Sequence, residues 1–285
     1  MPAAPAAAPI SSLPGRGRKP PAFQLDPARL RYPKLWDGLC VLLPLWEGIY
    51  RPREWFSGLT APTVRGTPTW TRDNDAWGIT NTAATIAFDL GITQPFNIPA
   101  NQLTVWVRHK WSGVSSNIGS LVQFGGGAGD STWLIATSGG ANTFLAQALV
   151  AGGTRQSTAA TATAAPTDRY MNYVLRWTTG AAATLTVYED GGAVFIGPQS
   201  SAAVTGPLAY VAAKPLHVLD DGAGSAVCGT ITGLGVWSRR LSDGEVGQLV
   251  SEPNALLQEA PFSPELLPVK LGFAPPILSQ YSGIF

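Results

Sequence analysis

Charge is scarce in this 285-residue chain. Asp, Glu, Lys and Arg make up 13% of it, about half the share usual in a globular domain. Nineteen Lys and Arg face 18 Asp and Glu, a net charge of +1. No global field therefore draws nucleic acid or an anionic membrane. No apolar run approaches the ~20 residues of a spanning helix. Cysteine is nearly absent: Cys40 and Cys228 are the two, and both lie in apolar, strand-like stretches. If the first and last strands pair antiparallel, these residues start at opposite ends and cannot bridge. Free thiols and an intracellular site of synthesis are the expectation. The first nine residues carry Pro where a secretory signal needs an unbroken apolar helix, and no basic residue precedes them, so no such signal is expected.

Catalytic constellations are also missing. A glycosidase needs two carboxylates about 5–10 Å apart, most simply as E-x-D on one strand face, and no strand-like run has that pattern. Asp243 and Glu245 have the spacing but belong to a helix cap, and Glu189 and Asp190 sit at a hairpin turn. Asp73 and Asp75 bracket Asn74 in a loop, without the Gly and terminal Glu of a Ca²⁺ loop; a solvated turn is the default reading. The two histidines, His109 and His217, are too few for a zinc set with two thiols in apolar strands. His109 follows an alternating strand and is expected at its exposed end. Neither a Ser nucleophile elbow nor a Gly-rich loop before Lys-Ser/Thr is present. Gly125-Gly-Gly-Ala-Gly-Asp130 follows a strand without a matching helix and reads as an inter-strand loop. No cofactor, no metal and no enzymatic activity are expected.

What is abundant is Gly (32), Pro (24) and Trp (10). With short apolar runs they argue for strands and turns over helices. The low charge has two readings: surface covered by other subunits, or a β protein rich in small residues. Residues 1–34 hold eight prolines and six basic side chains, Arg16, Arg18, Lys19, Arg29, Arg31 and Lys34, against Asp26 alone. Proline at that density excludes a regular helix or a central strand, so the block reads as an extended arm. Its basic run lacks the interleaved aromatics of a nucleic-acid site. Residues 259–285 interleave Phe262, Leu266, Leu267, Val269, Leu271, Phe273, Ile277, Leu278, Ile284 and Phe285 with five prolines. That is too apolar for a solvated tail and too Pro-rich for a helix. Such side chains need shelter, on this chain's own body or on a neighbouring subunit.

Between them, residues 35–258 form the predicted domain. Leu103, Val105 and Val107 alternate with Thr104, Trp106 and Arg108, and Tyr173, Leu175 and Trp177 alternate with Asn172, Val174 and Arg176, the period of a strand. Ser120 to Phe124, Trp133 to Ala136, Leu216 to Leu219 and Ile231 to Trp237 are further strand-like runs. Asp190-Gly191 places a tight turn between Leu185–Glu189 and Val194-Phe195. Ala151 to Pro166 reads as a loop or a weak edge strand. Near the end, Ser242 and Glu245 have capping-box spacing. Val246, Leu249 and Val250 then share one helical face, and Pro253 stops the helix. The pattern predicts an all-β, antiparallel two-sheet sandwich with extended Pro-rich arms and one short C-terminal helix.

Several of these segments resemble laminin-G-like, concanavalin A-like lectin/glucanase domains. Ser238-Arg-Arg-Leu-Ser-Asp-Gly-Glu245 resembles that family's closing turn and small helix. Leu39 to Gly48 is similar to its L-x-x-x-W-x-x-x-E-G opening strand, Tyr188 to Gly191 to its Y-x-D-G hairpin, and the Tyr170–Thr178 run to a strand that usually carries a His, absent here. The resemblance implies a concanavalin A-like jelly roll and leaves function open. A Pro-rich arm, that opening, a lectin-like sandwich and that close together resemble phage virion structural proteins. What this implies is a capsid decoration or head-fibre subunit, located in the virion, made in the bacterial host cytoplasm, homo-oligomeric and bound to other virion proteins. Its expected contacts are Phe262, Leu266, Leu267, Leu271, Phe273, Ile284 and Phe285 of one arm, and Arg16, Arg18 and Lys19 of the other. The alternative is a carbohydrate-binding adhesin of a phage tail or bacterial surface. Trp46, Trp106, Trp177 and Trp237 sit in strands and read as core or sheet-face residues. Trp55, Trp70, Trp77, Trp111 and Trp133 lie near turns, where exposed rings stack on sugars. Trp77, Trp111 and Trp133, with Asp220 and Asp221 of an Asp-Asp-Gly-Ala-Gly-Ser turn, are the candidate glycan contacts.

Overall fold

Short apolar runs broken by Gly, Pro, Asn and Asp suit strands and leave little room for helices. The chain follows that rule in a computed structural model that describes residues 30–44, 63–65, 69–73, 76–81, 87–90, 101–112, 119–126, 131–138, 143–149, 155–158, 166–203, 207–208, 216–219, 227–252 and 255–257. Its strands, in chain order, are β1 (Leu39–Pro44), β2 (Thr63–Arg65), β3 (Thr69–Asp73), β4 (Ala76–Asn81), β5 (Ala87–Leu90), β6 (Gln102–Trp111), β7 (Ser120–Gly126), β8 (Ser131–Ser138), β9 (Thr143–Leu149), β10 (Arg155–Thr158), β11 (Met171–Thr178), β12 (Ala182–Glu189), β13 (Val194–Ala203), β14 (Leu216–Val218) and β15 (Gly229–Trp237). One α-helix, α1 (Asp243–Ser251), follows, and short 3₁₀ turns flank the domain at Pro33–Trp36 and Ala255–Leu257. No described helix is long and apolar enough to cross a membrane.

The strands form two antiparallel sheets. The first has the order β13-β12-β11-β6-β15-β4-β3, with β1 also paired to β15; the second has the order β10-β9-β8-β7-β14-β5-β2. The predicted all-β, antiparallel two-sheet sandwich with one short helix is what the chain builds. The Ala151–Pro166 stretch supplies β10, an edge strand of four residues. The Gly-rich run after Phe124 joins the antiparallel neighbours β7 and β8.

Alternation decides which side chains meet. In the first sheet Val107 stands between Tyr173 and Leu234, and Val105 between Leu175 and Val236. These rows face the second sheet and share a core with Leu121, Trp133, Ile135, Phe144 and Val218. Burying each such side chain contributes about 1.5–3 kcal/mol. On the opposite face Trp106, Val174 and Trp237 pack under α1, against Val246, Leu249 and Val250. Both faces of the central strands β6 and β15 are therefore covered, and every residue of β15 is buried.

His109 departs from its expected exposed position. It is 0% exposed, with its ring 6.2 Å from Trp111 and 6.4 Å from Tyr173, centroid to centroid. The reason is parity: 109 continues the 103, 105, 107 series, and β6 runs on to Trp111. Burial lowers the imidazole pKa from 6.5 to about 3, outweighing the opposing effect of the Cys228 backbone. Gly229 lies directly over this ring. Its φ is +134°, and a Cβ there would stand 2.2 Å from the Lys110 carbonyl oxygen and 2.5 Å from His109 Nε2. Only glycine lets β15 begin so close to β6.

The cysteines are free thiols. Cys228 immediately precedes β15, and Cys40 sits in β1 beside the other end of that strand, at a bulge between Leu39 and Val41. The β12–β13 turn is built as its sequence predicts, with Gly191 at φ +92° and the Glu189 N–H donating to the Ala193 carbonyl at 2.8 Å.

Candidate functional site

The closing Ser-Arg-Arg-Leu-Ser-Asp-Gly-Glu segment is a physical staple. Ser242 caps α1, its Oγ accepting from the Glu245 N–H at 3.3 Å, while Glu245 Oε2 accepts from the Ser242 N–H at 2.8 Å. The Arg239 guanidinium bonds both Glu245 oxygens, at 3.0 and 2.7 Å, and also donates to the backbone oxygens of Asp37 and Lys34. Leu241 is buried under the helix. Trp237 Nε1 donates to the Leu35 carbonyl at 2.6 Å. The motif thus ties the last strand, the helix start and the segment before β1 into one body.

The densest polar cluster lies beside that helix on the outer face of the first sheet. Arg108 reaches out from β6, with its side chain 8% exposed. Its Nε donates to Asp190 Oδ1 at 2.9 Å, its Nη2 bonds Asp190 Oδ2, and its Nη1 donates to Thr232 Oγ1 at 2.9 Å. Asn172 donates to the same Asp190 carboxylate at 3.0 Å and accepts from Trp106 Nε1 at 2.9 Å. The Tyr170 ring lies 4.1 Å from the Arg108 guanidinium, and Lys110 Nζ is 5.8 Å from the same ring. A two-point arginine–carboxylate pair of this kind fixes direction as well as distance. It docks the β12–β13 turn onto the sheet. Next to it a threonine ladder crosses three strands: Thr71 to Thr80 at 2.6 Å and Thr80 to Thr230 at 2.8 Å.

The carboxylates that tempt a catalytic reading are engaged elsewhere. Asp190 is held by Arg108, Glu189 pairs with Arg169 at 3.1 Å, Asp243 bonds Arg176, and Glu252 pairs with Arg31 at 2.9 Å. The bond from Arg176 holds the Asp243 carboxyl below its usual value, and Arg239 holds Glu245 at about 2. A general acid near neutral pH needs the opposite displacement. Among the described residues no three His, Cys, Asp or Glu side chains gather as a metal set.

The sequence-predicted glycan residues separate in the structure. Trp111 and Trp133 are corrected: each is 1% exposed. Trp111 packs edge-on against Phe144 at 5.4 Å and Trp133 stacks on Phe124 at 6.0 Å, so neither offers a ring face to a sugar. Proximity to a turn misleads here because β6 and β8 carry both positions onto the core face. Trp106, Trp177 and Trp237 are core residues, as their strands predict. Trp77 belongs to β4, and its side chain is outside the described set, as are Asp220 and Asp221. The arm contacts Arg16, Arg18, Lys19, Phe262, Leu266, Leu267, Leu271, Phe273, Ile284 and Phe285 are also outside it. Sequence reasoning missed the Arg108–Asp190–Asn172 cluster. Arg108 stands on the face opposite Val107, but no local signal brings 108 to 190.

No protein-family model and no curated protein matches the sequence. Solved structures match the fold. Trypanosoma rangeli sialidase in complex with sialic acid is similar at 13% identity and a TM-score of 0.56, over 76% of this chain and 33% of that one, so this chain spans about a third of the sialidase. Domain 4 of AbnA, a GH43 extracellular arabinanase from Geobacillus stearothermophilus, in complex with arabinotriose, is similar at 12% identity and a TM-score of 0.55, over 74% of this chain and 98% of that domain. The binding domain of Paraclostridial mosquitocidal protein 1 is similar at 12% identity and a TM-score of 0.57, over 76% and 52% of the two chains. At these identities the likeness is one of fold: an all-β, two-sheet sandwich.

Proposed function

We propose that this chain is a non-catalytic carbohydrate-binding β-sandwich. The observation that carries the reading is the match in fold to domain 4 of the arabinanase over 98% of that domain's length. That domain, a unit without the arabinanase's other parts, was solved with arabinotriose. The arginine-paired carboxylates of this chain support binding over hydrolysis, because none of those pairs supplies the protonated carboxyl that glycoside cleavage requires. Recognition then falls to the loops and strand ends, with Trp77, near the start of β4, and Asp220 and Asp221 the sequence-derived contacts still in play. A glycan array spanning arabino-oligosaccharides and sialylated glycans tests this. Saturable binding to a defined sugar, without its hydrolysis, is expected; absence of saturable binding across the array refutes it.

A second reading, a phage virion decoration or head-fibre subunit located in the particle, draws support from one structural observation. The segments on either side of the domain are tied together at their roots, the arrangement of a body hung from one attachment point. Mass spectrometry of purified particles tests this reading: its absence from them refutes it.

A further inference from the structure

Arg240 is an arginine without a bonded carboxylate. It lies between β15 and α1, half-buried, and its backbone N–H donates to Gln102 Oε1 at 3.2 Å. Among the described residues its guanidinium makes no hydrogen bond or ion pair. Its neighbours do not neutralise it. Arg176 stands on the outer face of β11 with its side chain 10% exposed; its Nη1 bonds Asp243 Oδ1 and donates to the Leu241 carbonyl at 3.3 Å. Leu241 follows Arg240 directly, so the two guanidinium groups are drawn to one place. Burial and the Arg176 charge both lower the Arg240 pKa, and Asp243 opposes them. Two cations thus face one carboxylate, and that carboxylate is already bonded to Arg176. Glu245, the other acid of this turn, is held by Arg239. One positive charge is left over. A half-buried cation without a partner is unfavourable, and an anion that reaches it removes the imbalance.

The surroundings are polar. Gln102 and Thr178 are opposite each other across β6 and β11, and Thr178 lies two residues beyond Arg176, on the same face. Its buried Oγ1 has no hydrogen-bond partner among the described residues. These groups gather at one end of the first sheet, where β6 starts and β11 and β15 finish. The α1 cap is not part of the arrangement, since Ser242 and Glu245 satisfy each other.

We infer that Arg240, with Thr178 and Gln102 beside it, binds the carboxylate of an acidic sugar. The inference rests on the carbohydrate-binding reading above and adds the class of sugar and the place of its charged group. The planar fork of a guanidinium matches a carboxylate with two parallel N–H···O bonds. The surplus is a single charge, which a carboxylate cancels; a phosphate dianion would set excess negative charge beside Asp243. Arg176 shows the match within the protein, since it already holds a carboxylate oxygen of Asp243.

Isothermal titration calorimetry of the full chain with two matched pairs is the test: sialyllactose against lactose, and tri-galacturonate against its methyl ester. At least one acid is expected to bind about tenfold or more tighter than its neutral partner, the gain of a charge-assisted contact. Arg240→Gln is expected to erase that difference. Arg240→Lys, which keeps the charge and loses the fork, is expected to keep part of it. The urea midpoint of Arg240→Gln without sugar is a second readout. It is expected to hold or rise, because the substitution relieves Arg176 of a like charge; a fall shows that the guanidinium is satisfied within the protein and overturns the inference. An acid preference that survives Arg240→Gln overturns it too. Saturable binding to neutral sugars with no preference for either acid overturns this inference alone and leaves the carbohydrate reading standing. Absence of saturable binding to any sugar removes both.

Discussion

His109 makes the stability of this domain depend on pH in a direction that can be worked out in advance. The folded protein holds the imidazole neutral, fully buried, with its pKa lowered by desolvation from 6.5 to about 3. The unfolded chain protonates the same group near its ordinary value. Between those values the unfolded state binds the extra proton, so acid favours it. The contribution of His109 to stability is complete above pH 6.5 and is lost progressively as the pH falls toward 3. The limiting slope is about 1.4 kcal/mol per pH unit, and the loss from pH 7 to 4.5 is about 2.5 kcal/mol. Stopping at pH 4.5 keeps Asp243 and Glu245 largely out of the window, because the stability their paired carboxylates contribute begins to be lost only near their ordinary values of 3.8 and 4.5. Urea unfolding of wild type and His109→Leu at half-unit steps from pH 7.5 to 4.5 reads the effect. The difference between the two proteins is expected to shrink or change sign by about 2.5 kcal/mol over the range, since every other group cancels in the subtraction. Parallel stability curves for the two proteins refute the reasoning.

Three further perturbations follow from the polar and backbone geometry. Arg108→Met removes the charged partner of Asp190 and leaves it Asn172; that carboxylate is 36% exposed, so the loss falls below that of a fully buried pair, at about 2 kcal/mol by urea unfolding. Adding Asp190→Asn to that variant is expected to return part of the loss, and a double variant no better than the single contradicts the pairing. Ser242→Ala removes the cap of α1 and is expected to cost about 1 kcal/mol in the same assay; no change in midpoint shows that the capping box contributes nothing. Gly229→Ala forces a Cβ to 2.2 Å from the Lys110 oxygen at a φ of +134°, and a loss above about 4 kcal/mol is expected. A variant with near wild-type melting temperature contradicts that crowding.

Much of the fold was legible because its signals are local. The Ser242–Glu245 spacing specifies a cap, and the Val246, Leu249, Val250 series specifies which helix face is buried; both appear in the structure as read. Asp190-Gly191 likewise specifies a turn. What escaped was decided by strand length and by contacts distant in sequence. His109 and Trp111 follow the parity of Leu103, Val105 and Val107, so their inward direction was already written in the alternation, provided the strand continued; a turn assumed two residues too early sent both outward. The β3–β4 hairpin, in which Asp73 pairs with Ala76, was readable in principle. Asp73-Asn74-Asp75 reads as a solvated turn from its composition, but the strands on either side of it went unread. The Arg108–Asp190 pair had no such signal, since 82 positions separate its members.

The same residues bear on the proposed binding role. A catalytic carboxyl must be held in surroundings that keep it protonated or unpaired until substrate arrives. Here Arg108, Arg169, Arg176, Arg239 and Arg31 each take a carboxylate and use it as mortar: at the hairpin turn, at its neighbour in β12, at two positions of the helix start and at the root clamp. Charge is scarce in this chain, and a large part of the described acid is committed to holding elements in place. Five tryptophans of the described strands serve in the same way: Trp106, Trp111, Trp133, Trp177 and Trp237 fill the two apolar layers instead of lining a surface. The two apolar layers clamp the central strands β6, β11 and β15 from both sides. In the proposed binding role, a change of loop sequence is expected to alter specificity while leaving these arginine pairs and tryptophans in place.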